Sequence, residues 1–519
     1  MGLFVRKVKT RSGATAVQIA HTRRGVQTIL EHIGSAHDDA QLAALVAVAK
    51  SKIHAGQQTF DLDALTPTAP TGAAPTVTGS RSRVLWDVLE AAYRRLGFDA
   101  AVDDDVFMKL VLARVVEPTS KADTIRVLGE LGVPAPGLRT IWRTLARCVE
   151  HDWRDKLATA AYAHATRHGH VKLVLYDVTT LYFEAEAEDE DALRKVGMSK
   201  ERRVDPQILV GMLVTPDGFP LEVHEFPGNT GETLTLLPVL RAFQDRHAVD
   251  DVVVVADAGM LSASNLNQIE DAGFSFIVGS RISKAPYDLA EHFDAHGGVL
   301  HDGETMESKR IMGVRENARQ RRVVYHYSAK RDRRDNHTLD KQVERAQKIA
   351  DGTKPLKKDR FVKLTGTRPA VDQVLVDRAR QLAGLKGYVT NIPQVRLTGN
   401  EIVAAYHELF QVEASFRMAK TDLRARPMFH HEADSIHAHL TIVFTALAIS
   451  RHLQDLTGAS VRKIVRTLRP LRDVTISING NEIVAKTPPG DTAQAILDAV
   501  AASVTHQLGA SQAGPLIES

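Results

Sequence analysis

The sequence predicts a layered α/β fold entered through a helical region. Three observations lead there. Apolar residues recur at helical spacing throughout 83–167. From His170 onward, strand-like runs alternate with helical ones. The central runs, Val171–Tyr176 and Asp251–Ala256, are apolar almost continuously, as in strands covered by helices on both faces. The 519 residues, 44% apolar and 25% charged, suffice to bury such a core without cross-links. The single cysteine, Cys148, excludes an internal disulfide framework and an all-cysteine metal site, so a reducing compartment is the default. The net charge of +3 says little about partners. The first residues lack a signal-peptide core, and the apolar runs are too short or too polar for the roughly 20 residues a bilayer needs. The chain reads as soluble and cytoplasmic.

Taken in order, residues 1–65 form a basic start. Positions 1–24 hold six basic residues and no acidic one. Alternation over Ala16–Ala20 predicts a strand, and 38–52 a helix. The Pro, Thr, Ala, Gly and Ser stretch over 66–82 reads as a linker. Residues 83–169 read as helices. Lys121–Leu131 and the helix from Leu138 flank a Gly/Pro turn, which allows a helix-turn-helix. Arg139, Arg143 and Arg147 share one face of the second helix, either as a phosphate-contacting face or as the solvated side of a bundle. The α/β core spans 170–280 and resumes over 386–455, with strands at 171–176, 208–214, 220–226, 251–256 and 274–279. A capping box at Thr398–Glu401 starts a helix running to Lys420. Residues 281–385 break the rhythm and read as a β-rich basic insertion. Within it, Lys309–Arg334 holds ten basic and two acidic residues, including Arg319, Arg321 and Arg322, an excess suited to a phosphate-binding groove. The tail, 456–519, holds a helix, a hairpin at Asn479-Gly480, a further helix and an end that reads as disordered.

The acids carry the chemistry. Asp177 and Asp257 each end a buried apolar strand, where open α/β sheets place their ligands. Two carboxylates on adjacent strands repel unless a cation bridges them, and hard oxygen donors with open water positions suit Mg²⁺. Two such ions can activate a nucleophile and stabilise a leaving oxygen. As a pair alone, they read rather as ordinary strand-end turn residues. A third acid is available in Glu413, on the helix to Lys420. Tyr406, Glu413 and Lys420 recur every seven residues and form one stripe beside the apolar face.

These blocks resemble the DDE transposases of bacterial insertion sequences, in the group with a β-rich insertion between the second and third acids. Leu175-Tyr-Asp177-Val-Thr-Thr-Leu-Tyr-Phe-Glu184 is similar to that family's first-acid block, and Val254-Val-Ala-Asp257-Ala-Gly-Met260 to its second. The third block follows the signature Tyr, two residues, Arg, three residues, Glu, six residues, Lys. This chain has Tyr406, Leu409, Glu413 and Lys420, so leucine stands where the signature has arginine. Arg417 is the candidate replacement. Phe226–Glu232, Arg426-Pro427 and the helix from His437 also match recurrent segments, and the resemblance covers roughly 100–455. It implies a ribonuclease-H-like catalytic core with an inserted β-rich domain and an α-helical N-terminal region. It implies Asp177, Asp257 and Glu413 as ligands of two Mg²⁺ ions, with Mn²⁺ as a substitute. Tyr406, Lys420 and Arg417 would contact DNA, alongside the arginines named above. The implied activity is cleavage at transposon ends and joining of the 3′-hydroxyl to target DNA, by a homodimer. The 80 positions from Asp177 to Asp257 and the 156 from Asp257 to Glu413 leave room for the insertion.

Other motifs read more plainly. Gly228–Thr233 lacks the Gly-Lys-Ser/Thr ending of a phosphate loop. His437 and His439, two apart on a helix, face different ways, so packing is preferred over zinc binding by these and His430-His431. The acidic run 184–191 reads as a solvated loop. Two alternatives to the transposase stay open: a nuclease that cuts without joining, and a DNA-binding derivative with a dead site.

Overall fold

The computed structural model describes the chain apart from residues 1–2, 10–14, 24–25, most of 37–75, 168, 185–192, 198–204, 261, 281, 283–284, 366–367, 431, 479–480 and 513–519. It divides into two compact units, 1–74 and 75–519. The first is a three-stranded antiparallel sheet of β1 (Leu3–Lys9), β2 (Thr15–Arg23) and β3 (Val26–Ala36), in that order. Val17, Ile19 and Ala49 form its small core. The predicted strand is thus the middle of β2. The helix expected over 38–52 falls mostly outside the described residues, as do the acidic run and the end of the tail.

The second unit opens on a correction. Thr76–Arg81, expected in the linker, is strand β4, paired with β15 (Asp473–Ile478), which also pairs with β16 (Asn481–Lys486). Five main helices follow: α1 (Arg83–Arg95), α2 (Asp105–Val116), α3 (Lys121–Leu131), α4 (Leu138–Glu150) and α5 (Trp153–Ala165). Ser120 caps α3 by accepting from the Asp123 N–H, and Gly132 ends it in the left-handed conformation, as the sequence at both ends dictates.

The core is a mixed sheet of eight strands. In chain order they are β5 (Leu173–Tyr182), β6 (Gln207–Val214), β7 (Pro220–Pro227), β8 (Val253–Ala256), β9 (Ser275–Ser280), β10 (Thr305–Met312), β11 (Arg319–Tyr327) and β14 (Leu385–Thr390). Their spatial order is β10-β11-β14-β9-β8-β5-β6-β7. β5, β8 and β9 are parallel and all other pairs antiparallel. Every residue of β6 and β8 is buried, which their β-branched and aliphatic composition anticipates. Helices α6 (Leu236–His247) and α7 (Ala263–Asp271) connect β7 to β8 and β8 to β9.

The insertion differs from expectation. Its two long strands, β10 and β11, extend the main sheet and pair through β14. The remainder is α8 (Ala329–Ala350), a short hairpin of β12 (Val362–Thr365) and β13 (Arg368–Val371), and α9 (Gln373–Gln381), around Leu339, Ala346, Phe361 and Val376. Outside the sheet this part is mainly helical. Strand runs show their conformation in sequence but not their neighbours, and β14 recruits these two from across the insertion.

The helix expected over 401–420 is two: α10 (Gly399–His407) and α11 (Phe410–Thr421). The capping box at Thr398 and Glu401 is present on both sides. Then come α12 (Ala433–Thr457), α13 (Val461–Leu468) and α14 (Asp491–Gln512). Among the described residues α12 alone is long and apolar enough to cross a membrane, but 78% of its apolar window is buried inside the protein, as in a core helix. Thr441, Thr445 and Ser450 donate to carbonyls one turn back, so their hydroxyls are buried at little cost.

β7 carries two buried carboxylates that tie helices to the sheet. Glu222 receives Arg246 and His224. Burial alone would raise its pKa; the hydrogen bond from His224, the nearby His247 and the charge of Arg246 outweigh burial and hold it at about 2. The unfolded value is about 4.3, so Glu222 stabilises the fold above that pH and loses its contribution as pH falls toward 2. Urea denaturation followed from pH 6 downward should show this acid limb, and Glu222→Gln should flatten it.

Candidate active site

The ladder sets the first two acids. β5 and β8 run parallel with Leu173 opposite Val253 and Tyr176 opposite Ala256. One step further, the same register sets Asp177 beside Asp257, on strands about 4.8 Å apart. Asp177 does not end its strand, as the sequence suggested. β5 continues to Tyr182 because β6 pairs with it along that whole length. Asp257 does follow the last residue of β8, and its Oδ1 accepts from the Ala258 N–H at 2.7 Å.

Two helices bring the remaining groups. Tyr406 lies near the end of α10, buried, and its hydroxyl donates to Asp257 Oδ1 at 2.9 Å. Gly279 is bare where this hydroxyl arrives: a Cβ there would lie 2.8 Å from Tyr406 Oη and 3.0 Å from Ala258 Cβ. Burial, then the charge and hydrogen bond of Asp257, push the phenol pKa far up, so it remains a donor. Glu413 is exposed on α11, close enough that its charge also bears on Tyr406. Lys386 of β14 stands over Tyr406, its ammonium 4.3 Å from the centre of that ring and within electrostatic reach of Glu413. Burial and Arg331 lower its pKa, against the opposing charges of Asp257 and Glu413. Tyr406→Phe should remove one charge-assisted bond, worth about 1.5–3 kcal/mol, and slow turnover roughly ten- to a hundredfold. Single-turnover rates on the folded variant check this.

Sequence reasoning missed three supporting residues. Lys386 is a lone cation in an apolar strand, a signal that could have been used. Glu232 lies beside the Asp257 turn: a Cβ on Gly259 would meet its Oε2 at 3.2 Å, and its charge, with that of Asp177, bears on the Tyr176 phenol. Arg451 of α12 is buried and holds α11 in place, donating to Ser415 Oγ and to the Gln411 carbonyl. Ser415 donates in turn to the Gly218 carbonyl.

The predicted DNA contacts divide. Arg417 is exposed one turn after Glu413, and Lys420 is half-buried at the end of α11. Leu409 is buried at the junction of α10 and α11, so no polar contact arises there. On α4, Arg139 and Arg143 are exposed, but Arg147 pairs with Asp104 at 2.5 Å. The basic stretch of the insertion is a correction. Arg321 is fully buried on Glu270 and Asn267, Arg319 pairs with Glu270 and Asp271, and Arg322 with Glu307. All three acids lie outside the stretch Lys309–Arg334. The histidines also have protein partners: His437 bonds Glu225, His430 bonds Lys121, and buried His439 faces the Ala425 carbonyl.

Three carboxylates supplied by two adjacent strands and a helix are the donor chemistry of a divalent cation site. Among the described residues no three His, Cys, Asp or Glu side chains stand close enough to enclose an ion as they lie. Asp257 is turned toward Tyr406.

Acids on neighbouring parallel strands, with a helix bringing a third, suit metal-dependent phosphoryl transfer. A family model described as a transposase DDE domain matches residues 168–449, more than half of the chain. The chain belongs to that family, whose members are DNA transposases that use divalent metal ions, and its sheet contains the family's ribonuclease-H-like core. Among solved structures, a piggyBac transposase synaptic complex with hairpin DNA is similar over 73% of this chain and 70% of that one, at 12% identity and a TM-score of 0.36. The comparison with curated proteins finds no match.

Proposed function

We propose that this transposase cuts DNA at the ends of a bacterial insertion sequence and joins the freed 3′-hydroxyl to a target. The observation that supports this most is the register that sets Asp177 beside Asp257, with Glu413 and Lys386 gathered at the same end of the sheet. Asp177, Asp257 and Glu413 would hold two Mg²⁺ ions, which when bound lower the cost of charge on attacking and leaving oxygens. Tyr406 orients Asp257 through its hydroxyl. Lys386 offsets the mutual repulsion of the carboxylates before DNA arrives. Arg417, Lys420, Arg139 and Arg143 meet phosphates, and two copies pair the two ends.

The test is incubation with Mg²⁺ and labelled DNA carrying the inverted repeats that flank the reading frame. Nicking at the repeat boundary, followed by joined product, is expected. Nicking without joined product would establish a nuclease instead. Binding without any nick would mean that the site is dead.

A further inference from the structure

Away from the acids, a cavity of about 760 Å³ opens between the start of α3 and the 424–430 segment that follows α11. Arg114 and Lys121 stand in its wall. Both are partly buried, and neither forms an ion pair among the described residues. Arg114 donates to the carbonyls of Thr119 and Arg424, and its Nε is buried without a partner. Among the described residues the Lys121 ammonium bonds only to the His430 imidazole, at 2.6 Å. Arg424 and Arg426 add further positive charge to the lining. Two acids around the start of α3 are engaged elsewhere: Asp123 with Arg126, and Glu117, which ends α2, with Arg126 and Arg469. Burying a cation without a counterion is costly, so a binding anion would recover that cost. Burial and the charge of Arg114 hold Lys121 down at about 7, which reflects the same deficit.

The cavity is much larger than a phosphate requires, and its mouth carries two aromatic rings. Trp142 is 52% and Phe429 69% exposed, and neither stacks on another ring among the described residues. Cations within and unstacked rings at the rim are how proteins take a base and its phosphate from a single strand. The segment is also joined to the acid-bearing strand: Met428 N–H donates to the Tyr182 carbonyl at the end of β5.

We propose that this cavity holds one unstacked nucleotide of a DNA strand, its phosphate against Arg114 and Lys121 and its base against Trp142 and Phe429. The inference rests on the transposase reading for the identity of the strand, but not on the acids.

The experiment titrates the full-length protein, without metal, with a short thymidine oligonucleotide. Tryptophan fluorescence and anisotropy are read. Trp86 and Trp153 are buried, so quenching reports Trp142. Saturable quenching is expected, weakened about ten- to a hundredfold in Trp142→Ala and in Phe429→Ala, both surface changes. Lys121→Met should weaken binding yet raise the melting temperature, because it removes an uncompensated charge; a merely structural lysine would lower it. Unquenched fluorescence, wild-type affinity in both aromatic variants, or a lower melting temperature with unchanged binding would overturn the proposal. So would competition by inorganic phosphate or thymidine monophosphate as strong as that of the strand. Asp177→Asn should bind the oligonucleotide like wild type, which separates the two readings. Binding with no metal-dependent cut defeats the transposase reading alone. Cutting with binding unaffected by Trp142→Ala defeats this one alone.

Discussion

Glu413→Gln and Asp257→Asn proteins should fold, bind terminal DNA and cut it roughly a thousandfold more slowly than wild type. The size follows from the several kcal/mol that a correctly held cation contributes to developing charge, at about 1.4 kcal/mol per factor of ten. Removing either carboxylate lowers the repulsion among the gathered acids, so melting temperatures should hold steady or rise. That combination is the signature of groups kept for chemistry rather than for the fold. It is checked by cleavage rates at saturating Mg²⁺ beside thermal unfolding of each variant. Cutting at wild-type rate in either variant would mean that the acids are misassigned.

The largest effect on stability is expected at Arg154. This residue of α5 is buried and reaches Glu225 on β7, Thr441 Oγ1 and the His437 carbonyl on α12. Arg154→Met leaves the Glu225 carboxylate buried without its main partner, at a cost of about 3–5 kcal/mol. The double variant Arg154→Met/Glu225→Gln removes both charges and should recover a large part of that loss. Urea denaturation of the single and double variants measures the difference. A single variant within about 0.5 kcal/mol of wild type would show the pair to be dispensable.

Much of this architecture is written locally. The helical spacing of Val84, Leu85, Val88 and Leu89, the unbroken Val252–Ala256 run and the Thr398–Glu401 box each announce an element from a few neighbouring residues. Tyr406 as a companion of the acids was legible from its seven-residue spacing to Glu413, although the helix breaks between them. What escaped depends on distant partners. Asp177 looked like a strand end because apolar character dips there, but β6 carries the ladder past it. Arg319 and Arg321 looked uncompensated because Glu270 and Asp271 arrive from α7, and Arg322 because its partner Glu307, on β10, precedes the basic run. β10 and β11 looked like an independent domain because nothing in their sequence names β14 as neighbour. Lys386 went unnoticed because only tertiary packing brings it to Tyr406.

The pairing of β4 with β15 has a kinetic consequence. Gly79 lies opposite Thr475, nearly four hundred residues away, and β9 must wait for β14 across the whole insertion. Closing such wide loops is entropically slow, and folding rates fall as contacts become more remote in sequence. During synthesis the N-terminal strand of the second unit therefore emerges long before its mate, and the sheet cannot complete its ladder until residues past 385 have left the ribosome. Acquisition of activity is thus a late event in the life of each molecule, and a chain interrupted before residue 473 is left with an open strand edge in place of a finished enzyme.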